Sequence, residues 1–204
     1  NNVVFDNSSR ITDSFDITSG ASLAYVSYSP QTVSENQTVG FEVTLSNTGT
    51  ADVMLNQTQT SLTFGAQSDS LDGNQTVTAS GSTVLRFNAV PLGLSSGSYP
   101  GELILVGTEN GGAFRDTLTI SDNLTVNTRA QLAVSSIQLS DTVVSQGESG
   151  QTLQIDITNS GEASAQITAL DSIVRNYNSA YSLTLTSGQS FPYIVNGGAS
   201  ATFN

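Results

Sequence analysis

The sequence repeats itself with a period of about 109 residues, which is the size of one small domain. Residues 11–17 return as residues 120–126 at a shift of 109, and residues 41–49 return as residues 153–161 at a shift of 112. A shift that grows between segments but is constant within each one is the effect of loop insertions on a repeated domain. We therefore expect each period to be one folding unit. Further matches join residues 3–5 to 112–114, 21–24 to 130–133 and, at a shift of 116, 86–88 to 202–204.

The repeat predicts one complete unit between two incomplete ones. Residues 21–129 are the complete unit, residues 1–20 repeat its closing strands, and residues 130–204 repeat its first part. A unit of this length can bury a hydrophobic core of its own. The counterpart of residues 89–109 is missing from both ends. An isolated chain is therefore expected to fold one unit well and to leave the other frayed.

Two explanations fit these ends. The chain is either a window cut from a longer tandem array, or a subunit whose terminal strands complete the unfinished unit of the next chain, head to tail. An unfinished sandwich exposes strand edges and an open core, which natural proteins cover, and strand donation is one way to cover them. The second explanation leaves the strand of residues 101–106 without a counterpart.

Apolar and polar side chains alternate in residues 41–45 and again in residues 153–157. A period of two turns one face of a strand to a core and the other to water, and Asn- and Gly-rich turn signals separate the alternating segments. We predict an all-β fold of tandem immunoglobulin-like β-sandwich domains, one complete and two incomplete at the chain ends. The strands of the complete unit are predicted near residues 22–28, 39–46, 52–64, 76–79, 83–90, 101–107 and 114–126.

The connections between units are short. Residues 17–23 and 126–132 each leave about five residues between apolar anchors, which is too few for a flexible tether. We expect adjacent units to hold a restricted angle and to form a semi-rigid rod.

The residue types that are absent exclude most catalytic chemistry. The chain has no Cys, His, Trp or Lys, and its five basic residues are all Arg. It therefore cannot build a Ser-His-Asp triad, a thiolate nucleophile or an imidazole metal site, and it has no Lys for a Schiff base. We expect a protein that is not an enzyme and needs no cofactor, with a paired-carboxylate glycosidase as the one class left open.

The charge of the chain argues against two kinds of partner. The formal net charge is −12, although only 11% of the residues are charged. A nucleic-acid partner needs a basic patch, and an anionic membrane surface repels an acidic chain. We therefore expect neither nucleic-acid binding nor membrane insertion. The hydroxyl- and amide-rich composition favours an extracellular or cell-surface location.

A strand and its following turn occur twice, as FEVTLSNTGTA in residues 41–51 and as LQIDITNSGEA in residues 153–163. Together with the preceding residues 30–34 and 143–147, this pattern resembles the immunoglobulin-like modules of bacterial and archaeal surface proteins, the cell-adhesion-related modules called CARDB among them. The resemblance implies a spacer or adhesive module of a long surface or secreted protein. It implies no catalytic residues.

Five Asn-x-Ser/Thr triplets are candidate glycosylation sites. With 16 Asn in the chain and 56 Ser and Thr among its 204 residues, chance alone gives about four such triplets. Glycan attachment is therefore an open expectation that depends on an archaeal or eukaryotic source. The candidates are Asn7, Asn36, Asn56, Asn74 and Asn123.

Asp69 and Asp72 are weak candidates for calcium ligands, since they lie in one loop, residues 69–74, with an amide beside them. Calcium takes about six to eight oxygen ligands, usually from several carboxylates. The loop lacks the spacing of a known calcium motif. The alternative interpretation is an Asp-Gly turn with solvated carboxylates.

These patterns favour a non-catalytic structural module of a filament, stalk or adhesin, which continues along a longer chain or associates with further copies of itself. The alternative is a carbohydrate-binding accessory module of a secreted multidomain protein. A sugar-binding face would need exposed aromatic side chains concentrated in one unit. The aromatic residues that would form it are Tyr177, Tyr181, Phe191 and Tyr193, for which a place in the core is the other interpretation.

Overall fold

The computed structural model describes residues 19–143, 145–169, 173, 184–186 and 188–204. These residues form seventeen β-strands and no helix, which confirms the predicted all-β class; accordingly, no helix among them could span a bilayer. The strands of the first unit are β1 Leu23–Ser29, β2 Thr32–Ser34, β3 Thr38–Val39, β4 Glu42–Asn47, β5 Val53–Leu55, β6 Ser61–Phe64, β7 Gln67–Ser70, β8 Gln75–Val77, β9 Gly81–Arg86, β10 Val90–Pro91, β11 Gly97–Glu109 and β12 Gly112–Asn127. Those that follow are β13 Leu132–Leu139, β14 Leu153–Asn159, β15 Ala165–Ile167, β16 Tyr193–Val195 and β17 Ser200–Phe203.

The first unit is a sandwich of two main sheets, as expected for an immunoglobulin-like fold. One sheet has the order β1-β4-β9, and the other has the order β2-β12-β11-β5-β8, with β6 bonded to β11 and to β7. Alternate residues of both sheets point inward and form one core. Its largest fully buried side chains include Phe41, Phe64, Leu45, Leu55, Leu103 and Leu124.

The hairpin of β11 and β12 is the longest strand pairing among the described residues, and its turn follows directly from the sequence. Asn110 and Gly111 both adopt positive φ, at 47° and 79°, between the paired residues Glu109 and Gly112. Two positive-φ residues are what a two-residue hairpin turn of the type I′ class requires, and Asn-Gly is the pair that adopts it most readily. The predicted turn is confirmed.

The second unit repeats the first sheet of the first unit. Its strands β13, β14 and β17 pair in the order of β1, β4 and β9, and β15 pairs with β16 as β5 pairs with β8. An irregularity of the pairing also recurs at the same place. The register shifts between Tyr25 and Ser27 in β1 and between Val134 and Ser136 in β13. Its smaller core contains Ile155, Ile157, Ile167, Val195, Ala201 and Phe203.

The pairing corrects one of the sequence matches. Phe203 pairs with Ile155 as Leu85 pairs with Val43, so the last strand is shifted by 118 residues and not by 116. The match of Phe87 with Phe203 was therefore wrong by two residues. A slip of two preserves the inward and outward alternation of a strand, which is why the hydrophobic pattern did not reveal it.

The predicted strand over residues 52–64 is divided in the structure. A turn closed by the hydrogen bond from the N of Thr60 to the carbonyl of Asn56, at 3.0 Å, separates β5 from β6. The chain then returns as β7, which pairs with β6 and places Asp69 opposite Leu62. The polar sequence of β7 gave no alternating signal, so this strand was not predicted.

Candidate functional site: a repeated joint and an open face

Asn47 lies at the end of β4 and is 1% exposed. Its Oδ1 accepts hydrogen bonds from the backbone N of Ser22 at 3.1 Å and from that of Gly49 at 3.0 Å. Its Nδ2 donates to the carbonyl of Ala51 at 2.9 Å. One buried side chain therefore fixes the turn after β4 and joins it to the residue that leads into β1.

Asn159 makes the same contacts in the second unit. Its Oδ1 accepts from the N of Gln131 at 3.0 Å and from the N of Gly161 at 3.2 Å. Its Nδ2 donates to the carbonyl of Ala163 at 2.8 Å. Because a buried amide side chain must have its hydrogen bonds satisfied, the recurrence of Asn at both positions has a physical reason, which explains the repeated Asn-x-Gly pattern in the sequence.

The glycines of this motif are required by a close backbone approach. A Cβ on Gly49 would overlap the carbonyl oxygen of Gly20, and a Cβ on Gly161 would overlap that of Arg129. Gly20 and Arg129 belong to the segments that enter the two units, at equivalent positions of the repeat. Only glycine lets the entering chain pass directly over the turn.

The segment between the units is held from both sides. Asn127, the last residue of β12, accepts a hydrogen bond at its carbonyl from the N of Glu35 in the first unit, at 3.0 Å. The next residue, Thr128, donates from its N and its hydroxyl to Oε2 of Glu162 in the second unit, at 2.8 and 3.2 Å. Adjacent residues are thus bonded to different units. We call the contacts of residues 127–131 with the turn after β14 the joint.

The segment that enters the first unit is also hydrogen-bonded to the turn after β4, but through different side chains. There the hydroxyl of Thr50 donates to the carbonyl of Ser19 at 2.7 Å. Thr50 and Glu162 occupy equivalent positions, as do Ser19 and Thr128. The repeated sequence does not reveal this pair, because Thr and Glu have different side chains and the contact depends on the fold.

The inward side of β13 is exposed. Ile137 pairs across the sheet with Ile155, and Val134 pairs with Ile157, so that each pair lies on the side of the sheet that faces the core. Ile155 and Ile157 are buried, whereas the β13 members are not. We call this row of β13 side chains the open face. Its members are Leu132, Val134, Ile137 and Leu139, which are between 44% and 64% exposed.

The equivalent positions of the first unit are covered. Leu23 and Tyr28 correspond to Leu132 and Ile137, yet they are only 9% and 4% exposed. Burial raises the pKa of the Tyr28 hydroxyl to about 12. The counterparts of β11 and β12 do not occur among the described residues of the second unit. An incomplete second unit with an open core is what the repeat predicts, and it stays a prediction.

The structure describes four of the five candidate glycosylation sites; Asn7 lies outside the described residues. Asn36, Asn74 and Asn123 are exposed, and Asn36 lies in a turn at φ 58°. Asn56 is half-buried, and its Oδ1 accepts hydrogen bonds from the N and the hydroxyl of Thr58, both at 2.9 Å. Glycosylation stays a prediction at all five sites.

The two calcium candidates do not share one environment. Asp69 points into the first sandwich and is 2% exposed, with its Oδ1 accepting from Nε2 of Gln67 at 2.7 Å. Asp72 is exposed in the turn that follows β7. Within the described part of the chain, no group of three acidic side chains is placed to hold a metal ion. Calcium binding by this loop stays a prediction, which the melting temperature with calcium and with a chelator would check.

Two of the four aromatic residues proposed for a sugar-binding face are described, and both contact the second core. Phe191 stacks on Phe203 with ring centroids 6.1 Å apart, and Tyr193 meets the same ring edge-on at 5.1 Å. Tyr177 and Tyr181 lie outside the described residues. No observation on the described residues favours the carbohydrate-binding alternative.

Comparison with known proteins does not assign the chain to a family. No family model matches the sequence, and no curated protein matches it, so the resemblance to CARDB modules stays a resemblance. Among solved structures, the chain is similar to the pre-assembly complex of the chaperone CsuC with the tip adhesion subunit CsuE, from the archaic chaperone–usher Csu pili of Acinetobacter baumannii. The identity is 14% and the TM-score is 0.29, over 88% of this chain and 86% of that one. A likeness at this TM-score carries no argument about function.

Proposed function

We propose that this chain is a non-catalytic structural segment of an extracellular or cell-surface filament, stalk or adhesin shaft. In such an assembly, immunoglobulin-like units follow one another through copies of one joint. The supporting observation is that the hydrogen bonds by which a buried Asn holds the entering segment recur at equivalent residues. Asn47 and Asn159 each bond the residue that leads into their unit. A contact set that recurs from unit to unit is what an array needs in order to repeat one geometry.

The tie between Thr128 and Glu162 supports the same proposal. A freely jointed pair of domains needs a solvated linker without fixed contacts. Here the connection is short, and its residues are bonded to the unit before it and to the unit after it. A restrained connection of this kind transmits orientation along an array, which a shaft requires and an independent pair of binding modules does not.

The open face supports continuation of the array beyond the second unit. Contiguous exposed apolar surface on a soluble protein marks an interaction site or an aggregation hazard. In the first unit the counterparts of Leu132 and Ile137, which are Leu23 and Tyr28, belong to the core. We infer that the second unit is completed in the assembled protein, either by the same polypeptide or by another copy, and that its apolar row is then buried.

Electron microscopy of the concentrated protein tests the proposal. We expect rods or fibres whose units are evenly spaced along one axis. Small-angle scattering on the dilute chain should show a single preferred distance between the two units. Compact particles without an axial repeat, together with units that reorient freely in solution, would contradict the structural role.

A further inference from the structure

We propose that the open face binds residues 3–18 of a second copy of this chain, laid down as a strand in the place that β12 takes in the first unit. The inference rests on the proposed function, because it names the segment through which the array continues. The occupant is identified by three observations, which concern the strand that covers β1, the sequence of residues 3–18, and the loop beside the open face.

Of the two long strands in the first unit, β12 is the one that contacts β1. The hydroxyl of Tyr25 in β1 donates to Oδ2 of Asp122 in β12, at 2.9 Å. On its far edge β12 pairs in parallel with β2, and Val126 lies opposite Val33. The other long strand, β11, pairs with β5 and β6 instead. Because β13 is the counterpart of β1, we expect a strand equivalent to β12 to cover its open face.

Residues 3–18 carry the pattern of β12. At the shift of 109, apolar residues stand at all three positions where β12 buries a side chain, and Asp13 stands where Asp122 does. In β12 the same spacing places the three buried side chains on one face of the strand. The matched pairs are Ile11 with Ile120, Phe15 with Leu124, and Ile17 with Val126.

The loop that would lie beside this strand has the same form in both units. In the first unit the N of Ser34, in β2, donates to Oε1 of Gln37 at 2.9 Å, and the N of Gln37 donates to the carbonyl of Ser34 at 3.1 Å. In the second unit Ser145 and Glu148 exchange the same two hydrogen bonds, at 2.7 and 3.1 Å. The segment against which β12 pairs thus has a counterpart that follows β13 along the chain.

The joint indicates that the occupant comes from another copy. β12 leads through Thr128 into the joint of the unit that follows it. In the same way residues 3–18 lead through Ser19, which is bonded to Thr50, into the first unit. A unit that contains residues 3–18 as its closing strand must therefore precede the first unit, whereas the second unit follows it. Among the units of this sequence, the second unit of a different copy is the one that meets this condition.

Two substitutions in the full chain test the inference by sedimentation velocity over a range of protein concentrations. Phe15→Asp places a charge on the donated segment, and Ile137→Asp places one on the open face, where the side chain is 64% exposed and its loss leaves the buried core intact. The wild-type chain is expected to associate into dimers and longer species. Each variant alone is expected to lose this association.

A mixture of the two variants gives the decisive readout. The Phe15→Asp chain still offers an intact open face, and the Ile137→Asp chain still offers an intact segment, so that the mixture is expected to form a one-to-one dimer and nothing longer. The matched control is Val26→Asp, which changes another exposed apolar residue, in β1 of the first unit, and should associate like the wild type. Near-ultraviolet circular dichroism checks that each variant keeps its folded core.

The outcomes separate this inference from the proposed function. If the wild-type chain stays monomeric at every concentration, or if the mixed variants do not dimerise, the inference is overturned. If Ile137→Asp abolishes association and Phe15→Asp does not, the open face is a joint with a different occupant; the inference then fails and the proposed function stands. If association occurs and is unchanged by Ile137→Asp, the inference is overturned, and the axial repeat seen by electron microscopy then decides the proposed function separately.

Discussion

Thr128 and Glu162 form a reciprocal pair across the boundary between the two units. The hydroxyl of Thr128 donates to Oε2 of Glu162 at 3.2 Å and accepts a hydrogen bond from the backbone N of Glu162 at 3.0 Å. The N of Thr128 also donates to the same carboxylate oxygen, at 2.8 Å. Three hydrogen bonds between two residues leave the connecting chain little freedom to swing.

Replacing Glu162 by Ala should loosen this connection without unfolding either unit. The carboxylate is near the surface, so its hydrogen bonds to Thr128 are worth about 1 kcal/mol net. We expect the amide of Thr128 to exchange its hydrogen about fivefold faster in Glu162→Ala, since 1.4 kcal/mol corresponds to a factor of ten. NMR-detected hydrogen exchange measures this. Glu102→Ala, at an exposed position of β11, serves as the control, and equal exchange rates in the two variants would show that the pair does not restrain the connection.

Replacing Asn47 by Ala should strongly destabilise the first unit. The substitution leaves the N of Ser22, the N of Gly49 and the carbonyl of Ala51 without the partner that now satisfies them. Since each unsatisfied buried group is unfavourable by about 1–3 kcal/mol, we expect a loss of about 3 kcal/mol in the free energy of unfolding. Urea denaturation measures it. The exposed Asn123, whose Nδ2 donates only to the hydroxyl of Ser98, gives the control: Asn123→Ala should change stability by less than about 0.5 kcal/mol.

Asp69 should make the stability of the first unit depend on pH. Its burial in the sandwich raises the pKa of the carboxyl group above the ordinary value, even though the hydrogen bond from Gln67 lowers it. Because the pKa is higher in the folded than in the unfolded chain, the stabilising contribution is present at low pH and is lost as the pH rises through the folded pKa. The Oδ2 atom is buried and has no hydrogen-bond partner in the described part of the chain.

The variant Asp69→Asn tests this dependence, because it keeps the shape of the side chain and removes the charge. We expect Asp69→Asn to gain stability relative to the wild type as the pH rises from about 4 toward neutrality. Urea denaturation of both proteins at a series of pH values measures the difference. A difference that is constant with pH would show that the carboxyl group titrates equally in the folded and unfolded chains.

Glycans, if the source attaches them, should favour the exposed sites. Asn36, Asn74 and Asn123 present their side chains to solvent, whereas Asn56 is half-buried and bonded to Thr58. We expect the intact mass of the native protein to fall on glycosidase treatment, with Asn56 the least occupied of these four sites. Thr38→Ala removes the Asn36 triplet alone and should lower the native mass by one glycan. A native mass equal to that of the bare polypeptide would end the hypothesis.

The sequence was sufficient for the elements that depend on local pattern. Alternation in residues 41–45 and 153–157 predicted β4 and β14, and Asn110-Gly111 predicted the turn between β11 and β12. The repeat also matched residues 41–49 with residues 153–161, which form the equivalent strands β4 and β14. Each of these features is encoded by residues that are neighbours along the chain or one period apart, which is why a single sequence reveals them.

The features that the sequence did not reveal depend on contacts between distant residues. Asp69 read as a turn carboxylate because nothing next to it signals burial; only the pairing of β7 with β6 turns it inward. The pair of Thr128 and Glu162 is bonded across thirty-four positions and has a chemically different counterpart in the first unit. A repeated sequence pattern depends on residue types, whereas these contacts depend on the path of the folded chain.

The parallel pairing of β2 with β12 has a mechanical consequence. β2 lies near the beginning of the first unit and β12 closes it, and the two run in the same direction from Thr32 to Ser34 and from Thr125 to Asn127. Tension along the chain pulls these strands in opposite directions, so the hydrogen bonds between them are sheared together and do not open one after another. A unit stretched at its ends therefore resists unfolding until these hydrogen bonds break together, whereas an antiparallel hairpin under the same force would open one hydrogen bond at a time.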